Sequence, residues 1–278
     1  MNSQKLLLLL QHYIIYTTMR FELQLTIDKK IYGNALPFSY QYELSAYIYH
    51  TLAQGNAEYA AWLHQNGFEL DGKQFRLFTF SPLFAKIAID KTKNRLLLMD
   101  DTATLQISFL PERSTEEFVK GVFAEQQFTI GDKQSKVQFT IQHVYKMPTP
   151  PIDGELRGET LSPLCLAQQT NEGKIHFYSA AEPEAGQAII NNLINKYSAF
   201  YGKSFEGETA FEWQTLTEPR SKLITIKADT PQQTKIKGSL CKFRLKADKE
   251  LLRIGYECGL GEKGSQGFGC ISANLTHS

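Results

Sequence analysis

His64 lies in the run Ala60-x-Trp62-Leu63-His64-Gln65-x-Gly67-Phe68. Asn56 suits an N-cap and Gly67 the C′ position, so the spacing predicts a helix over 57–66 with the imidazole in its last turn. The negative end of the helix dipole there favours a cation, and a protonated histidine is a general acid. A surface histidine at a helix end suits the dipole equally well without any chemistry. The second group of interest is Gly259-Leu-Gly-Glu-Lys-Gly-Ser-Gln-Gly-Phe-Gly269, five glycines in eleven residues. Its first six residues fit G-x-G-x-x-G, but only nine residues follow Gly269, too few for the helix, strand and acid of a dinucleotide-binding unit. What survives is a backbone whose amides can approach a phosphate without a Cβ in the way, with Lys263 adding charge; a flexible hairpin is the plainer alternative. No set of His and Cys has metal-ligand spacing and H-E-x-x-H is absent, so no metal is expected.

The elements that must hold these groups follow from periodicity. The alternation over 20–27 reads as a strand, and residues 40–54 as a helix with Leu44, Ile48 and Leu52 on one stripe. Strands are expected over 75–81, 85–90, 95–99, 104–110 and 137–145, with Ser114-Thr-Glu-Glu117 as a capping box opening a helix through Phe118, Val122 and Phe123. The stretch 147–154, with three prolines and a glycine, is the most linker-like in the chain. Beyond it the order recurs: strands over 160–168 and 174–179, a helix over 184–201 ended by Gly202, then strands over 223–227, 237–246 and 251–258. Two successive mixed units suggest an α+β protein with a duplicated β-α-β-β-α-β, ferredoxin-like design. The expected division is an extension over 1–18 outside the fold, one domain over 19–147 and a second over 148–278.

A chain of 278 residues with 42% hydrophobic and 21% charged residues is too long for one small domain and too balanced for a disordered chain. Mean hydropathy of −0.31 without a long apolar run argues against a membrane span. The Leu6–Leu10 run is interrupted by Gln11 and His12 and lacks a cleavage site, so secretion is not expected. Four cysteines without C-x-x-C spacing read as reduced, buried and cytoplasmic. The net charge of +1 hides an asymmetry: residues 220–253 hold ten basic and three acidic side chains, +7, which leaves −6 for the rest. A polyanion would be drawn to one end, although scattered lysines on a solvated sheet edge are ordinary.

The motif GYECGLGEKGSQGFG over 255–269, after a basic hairpin, resembles the glycine-rich loop of the CRISPR-associated endoribonucleases of the sixth Cas family, within the repeat-associated RNA-binding superfamily. The runs P-x-x-Y-Q-Y-x-L-S-x-x-I-Y (37–49), A-x-W-L-H-Q-x-G-F (60–68) and R-L-F-T-F-S (76–81) are similar in order and spacing to the family's catalytic segment, so the resemblance covers about 19–273. It implies two tandem ferredoxin-like, RRM-like domains and metal-independent cleavage of precursor CRISPR RNA within the repeat. The 2′-hydroxyl attacks the adjacent phosphate, leaving a 2′,3′-cyclic phosphate and a 5′-hydroxyl, with no cofactor. His64 corresponds to the family's catalytic histidine. Tyr49 matches its active-site tyrosine, which positions or helps deprotonate the 2′-hydroxyl, though Tyr49 could be an ordinary half-buried aromatic with Tyr47 close by. The family's third group is a lysine; alignment on Leu77-Phe-Thr79 places Arg76 there, with Lys73 as the competing choice. RNA holding would fall to Lys235, Lys237, Lys242, Arg244 and Lys246 and to Gly259, Gly261, Lys263, Gly264, Gly267 and Gly269.

The implied partner is CRISPR repeat RNA, precursor and mature guide, with other Cas proteins of an interference complex and a homodimer also open, and no membrane. The same loop and strands would serve a non-catalytic subunit that holds guide RNA and has no need of His64. A pair of ferredoxin-like domains binding small ligands is a third reading.

Overall fold

The alternation read over 20–27 forms β1 (Arg20–Asp28), with Leu23, Leu25 and Ile27 buried and Glu22, Gln24 and Thr26 on the more open face. In the computed structural model, which describes residues 19–169, 172–228 and 230–273, β1 is the centre of a five-stranded antiparallel sheet. Its other strands are β2 (Phe78–Phe80), β3 (Thr102–Phe109), β4 (Gln127–Gly131) and β5 (Lys136–Lys146), in the order β2-β3-β1-β5-β4. The helices α1 (Gln41–Gly55) and α3 (Glu112–Ala124) pack beside each other, and α2 (Ala57–Gln65) follows α1 after the single residue Asn56. Phe78, Phe80, Phe109, Phe118 and Phe139 fill the core between the helices and the sheet. The extension expected over 1–18 lies outside the described residues.

The second half repeats the plan. β6 (Glu155–Thr160), β7 (Glu212–Thr215), β10 (Lys242–Lys246) and β11 (Ile271–Ala273) form an antiparallel sheet in the order β7-β10-β6-β11. In both sheets the first strand sits between the third and the last, and the second strand is at an edge. That is the ferredoxin-like arrangement, with helices after the first and third strands: α4 (Ala185–Tyr201) and α5 (Lys249–Cys258). A hairpin, β8 (Arg220–Ile226) with β9 (Thr234–Leu240), is inserted between β7 and β10, where the first half carries the pair Ile87–Asp90 and Arg95–Leu98. The proline-rich stretch 147–154 has no regular structure.

Several local expectations are corrected. The segment expected as a strand over 251–258 is helix α5: Leu251, Ile254, Gly255 and Cys258 recur at helical spacing and are buried. Asp248 caps it, its side chain accepting from the Glu250 amide at 2.8 Å. The capping box at Ser114 is not used. Helix α3 starts earlier, at Glu112, and Ser114 Oγ is engaged instead by the Tyr59 hydroxyl. The strand expected over 160–168 divides into β6 and a short strand at Ala167–Gln169, because Leu164 and Cys165 pair individually with Ser239 and Glu262. That expected over 237–246 breaks at Cys241, whose amide donates to Thr160 Oγ1.

The halves interlock. Arg20, at the first position of β1 and 1% exposed, donates to the backbone oxygens of Tyr256 and Ile271 and lies 4.0 Å over the Tyr256 ring. Leu77 and Leu110 of the first half are buried in the core of the second. Thr79 Oγ1 donates to the Phe268 oxygen at 2.9 Å, and Ser45 Oγ to the Ser265 oxygen at 2.6 Å.

Candidate functional site

Asn56 accepts from the Tyr59 amide at 2.9 Å and so starts α2; the chain leaves it through Gly67, at φ +63. A Cβ on Gly67 would sit 2.5 Å from the Phe75 oxygen, so only glycine lets the following hairpin fold back against the helix end. That hairpin, Phe68–Leu70 with Lys73–Phe75, turns at Asp71 and Gly72, both at positive φ as a two-residue type I′ turn requires. It delivers Arg76 to the C-terminal end of α2, where His64 occupies the last turn, and leaves Lys73 beside the turn on the border of the same cleft.

His64 and Tyr49 stand together, edge to face with ring centroids 4.8 Å apart, and the Tyr49 ring also meets Phe78 edge-on at 5.5 Å. His64 is exposed and Tyr49 half-buried. Burial pushes the Tyr49 phenol up to about 12, with the Arg76 charge and hydrogen bonds from Ser265 and Arg76 offsetting part of the effect. Its hydroxyl is therefore protonated throughout the neutral range and available as a hydrogen-bond donor.

Arg76 is already engaged. Its Nη2 donates to the His64 oxygen at 2.6 Å, the Gln65 oxygen at 3.4 Å and Gln74 Oε1 at 3.0 Å, and its Nη1 to the Asn66 oxygen at 3.3 Å. The guanidinium thus covers the free carbonyls at the end of α2, where a cation also meets the negative end of the helix dipole. Leu77 beside it adopts φ +52, unusual for a branched residue, and the strain is offset by burying its side chain in the second core. Lys73 is exposed, and its amine has no hydrogen bond or ion pair among the described residues.

The glycine-rich loop closes the site from the second half. Gly259, Gly261, Gly267 and Gly269 are buried, while Lys263 is exposed and Gly264 partly so. A Cβ on Gly269 would lie 2.0 Å from the Leu260 oxygen, and one on Gly261 2.4 Å from the Cys165 oxygen. These glycines serve close packing of backbone on backbone and leave the segment 262–266 as the presented edge. Lys196 anchors the start of the loop: buried inside α4, its Nζ donates to the Gly259 oxygen at 2.6 Å and the Gly261 oxygen at 2.9 Å. Burial moves this amine below the usual lysine value. Lys196 was missed from sequence, although a lysine three residues after Leu193 on an apolar stripe is a readable signal.

A cleft of about 1260 Å³ runs between the halves. Tyr49, His64, Lys73 and Arg76 border it from the first half, and Gly261, Lys263 and Gly264 from the loop. The other expected RNA-binding side chains lie elsewhere. Lys235 and Lys237 project from β9, and Lys242, Arg244 and Lys246 alternate along β10. There Glu212 pairs with Arg244 at 2.8 Å and Lys246 at 3.2 Å, which tempers the charge of that strand. The hairpin instead sends Lys227 into the cleft, 6.0 Å from the Tyr42 ring. Among the described residues no three His, Cys, Asp or Glu side chains are gathered as a metal would need.

The chain resembles known proteins over most of its length. The family description "CRISPR-associated protein Cas6, N-terminal" matches residues 35–145, and "CRISPR associated protein Cas6, C-terminal" matches 145–273. The chain is 30% identical over 257 residues to the CRISPR-associated endoribonuclease Cas6 1 of Methanocaldococcus jannaschii, covering 91% of this chain and 92% of the relative. It is 26% identical over 259 residues to the CRISPR-associated endoribonuclease Cas6 of Pyrococcus furiosus, covering 91% and 89%. Among solved structures, that of a Cas6-related gene product from Pyrococcus furiosus matches the fold with a TM-score of 0.78 at 23% identity, covering 94% of this chain and all of that one.

Proposed function

This chain belongs to the Cas6 family, and from that premise we propose how its cleft works. The protein is an endoribonuclease acting on CRISPR repeat RNA. The repeat enters the cleft with its scissile phosphate beside Tyr49 and His64. The 2′-oxygen attacks phosphorus, the bond from phosphorus to the 5′-oxygen breaks, and a 2′,3′-cyclic phosphate and a 5′-hydroxyl result. Tyr49, protonated at neutral pH, orients the 2′-hydroxyl by hydrogen bonding, and the proton of that hydroxyl leaves to solvent. His64 as imidazolium protonates the departing 5′-oxygen. Lys73 neutralises the phosphorane, because its amine is unengaged while the Arg76 guanidinium is committed to the end of α2 and to the Tyr49 hydroxyl; Arg76 is a positioning residue for His64 and Tyr49. The observation that carries this reading is the 4.8 Å contact between Tyr49 and His64 at a cleft that Lys73 also borders.

The division of labour follows the same reading. Residues 19–147 are the catalytic domain, and 148–278 hold RNA through the loop edge at Lys263 and Gly264 and the basic strands β9 and β10. Four free, buried cysteines favour a cytoplasmic setting, and no helix among the described residues is long and apolar enough to cross a membrane. Other Cas proteins and a second copy of the chain remain proposed partners.

The test is incubation of wild type and His64→Ala with the host's own labelled repeat RNA in EDTA, following cutting and gel shift together. One discrete cut by wild type is expected, absent when the nucleotide at the cut carries a 2′-deoxy group, with His64→Ala binding but at least ~100-fold slower. A cut that disappears in EDTA, or one that survives 2′-deoxy substitution, rules the mechanism out. A gel shift with no cut by wild type would assign the chain as an RNA-holding subunit.

A further inference from the structure

The cleft has a lining that the reaction chemistry leaves unused. Helix α4 turns Gln187, Asn191 and Asn195 toward it, at positions i, i+4 and i+8, so that three amides lie on one side of the helix at steps of about 6 Å. Gln187 and Asn191 are exposed and Asn195 is partly so; Gln187 Nε2 donates to Asn191 Oδ1 at 2.8 Å, and the Asn195 side chain has no hydrogen bond among the described residues. Asn192 also borders the cleft and leaves its buried Oδ1 without a partner, an uncommon state for a buried acceptor. The one cation of this face, Lys196, is spent on the carbonyls of the glycine-rich loop. Among the described residues, the cleft lysines whose amines have no hydrogen bond or ion pair, Lys73, Lys227 and Lys263, come from other segments.

This separation of chemistries matters for a polyanion. Lysine offers only donors, which suit phosphate oxygens, carrying no sequence information, and among bases the acceptor edge of guanine. A primary amide offers a donor and an acceptor side by side, matching the mixed edges of unpaired bases, and single-stranded RNA is read at those edges. Glu184, at the start of the same helix and also bordering the cleft, disfavours phosphate on this side.

We propose that Gln187, Asn191 and Asn195 form a base-reading wall that selects the unpaired nucleotides flanking the cut, while the lysines of the cleft hold the backbone. The inference rests on the ribonuclease reading above and deepens it. These are specificity-determining residues: they touch bases and take no part in the bond changes at phosphorus.

The experiment uses the full-length chain and the host repeat RNA randomised at the nucleotides on either side of the cut, with cut and uncut pools sequenced. Wild type is expected to favour one base over others by about 5- to 150-fold at one or more of these positions. The variant combining Gln187→Ala, Asn191→Ala and Asn195→Ala should flatten that preference to within about threefold, with its thermal midpoint little changed, because none of the three side chains is buried and alanine suits a helix. Asn191→Asp keeps the shape but offers acceptors only, and should shift the preference toward bases that present a donor. A triple variant that cuts with the wild-type base profile, or a wild type without preference at these positions, overturns the proposal. A wild type that leaves the whole pool uncut overturns instead the ribonuclease reading on which it rests.

Discussion

Two cations compete for one role beside His64, and their surroundings separate them. Lys73→Ala is expected to slow cutting by about 10²- to 10³-fold with little change in thermal midpoint, since on the proposed mechanism it removes only charge at the phosphorane. Arg76→Ala uncovers the carbonyls of His64, Gln65 and Asn66 and should cost about 1 kcal/mol of stability, with a smaller loss of rate through displaced His64. Single-turnover rates and melting curves on the two variants distinguish the roles; equal loss of stability in both would contradict the assignment. For Tyr49 the prediction concerns pH. A phenol pushed up to about 12 carries its proton from pH 6 to 9, so Tyr49→Phe should slow cutting by the same factor at pH 7 and pH 9. A factor that grows with pH would identify a tyrosinate base. The place of His64 in the last turn of α2 was legible from Asn56 and Gly67, whereas only the family resemblance singles out Tyr49. The choice between Arg76 and Lys73 was not legible, because it depends on which side chain finds the end of α2 in space.

The loop between α5 and β11 is held by groups from other elements. Lys196→Met should leave the Gly259 and Gly261 oxygens unpaired in a buried place, lowering stability by about 2–3 kcal/mol in chemical denaturation and slowing cutting even where the fold persists. Unchanged stability would show that water or a neighbouring group replaces the ammonium. The glycines announced a special backbone in the sequence, but their reason is packing: at Gly261 and Gly269 a Cβ would collide with backbone oxygens. Helix α5 was misread as a strand because a ten-residue apolar-rich segment fits either period, and the cap at Asp248 is the feature that decides it.

Arg20 joins the first strand of one half to both ends of the loop in the other, through the oxygens of Tyr256 and Ile271. Arg20→Met should cost about 3 kcal/mol or more, because it strands two buried carbonyls and removes a cation that faces the buried Glu257 carboxyl, itself raised to about 7 mainly by burial. Thermal melting checks the size, and cutting should fall with it; a stable variant with normal rate would mean that the halves position the loop without this clamp. What the sequence by itself determined is a pair of successive α+β units with the element order of the first, α2 with His64 in its last turn, and the glycine-rich loop, since each follows from periodicity, caps or spacing within a few tens of residues; the second helix of the second unit was not among them. Only the tertiary structure decided the cleft, the freedom of Lys73, the burial of Lys196 and Arg20, and the amide wall of α4 facing the site. Those depend on contacts between residues up to 251 positions apart, as from Arg20 to Ile271, and local pattern carries no information about which distant groups will meet.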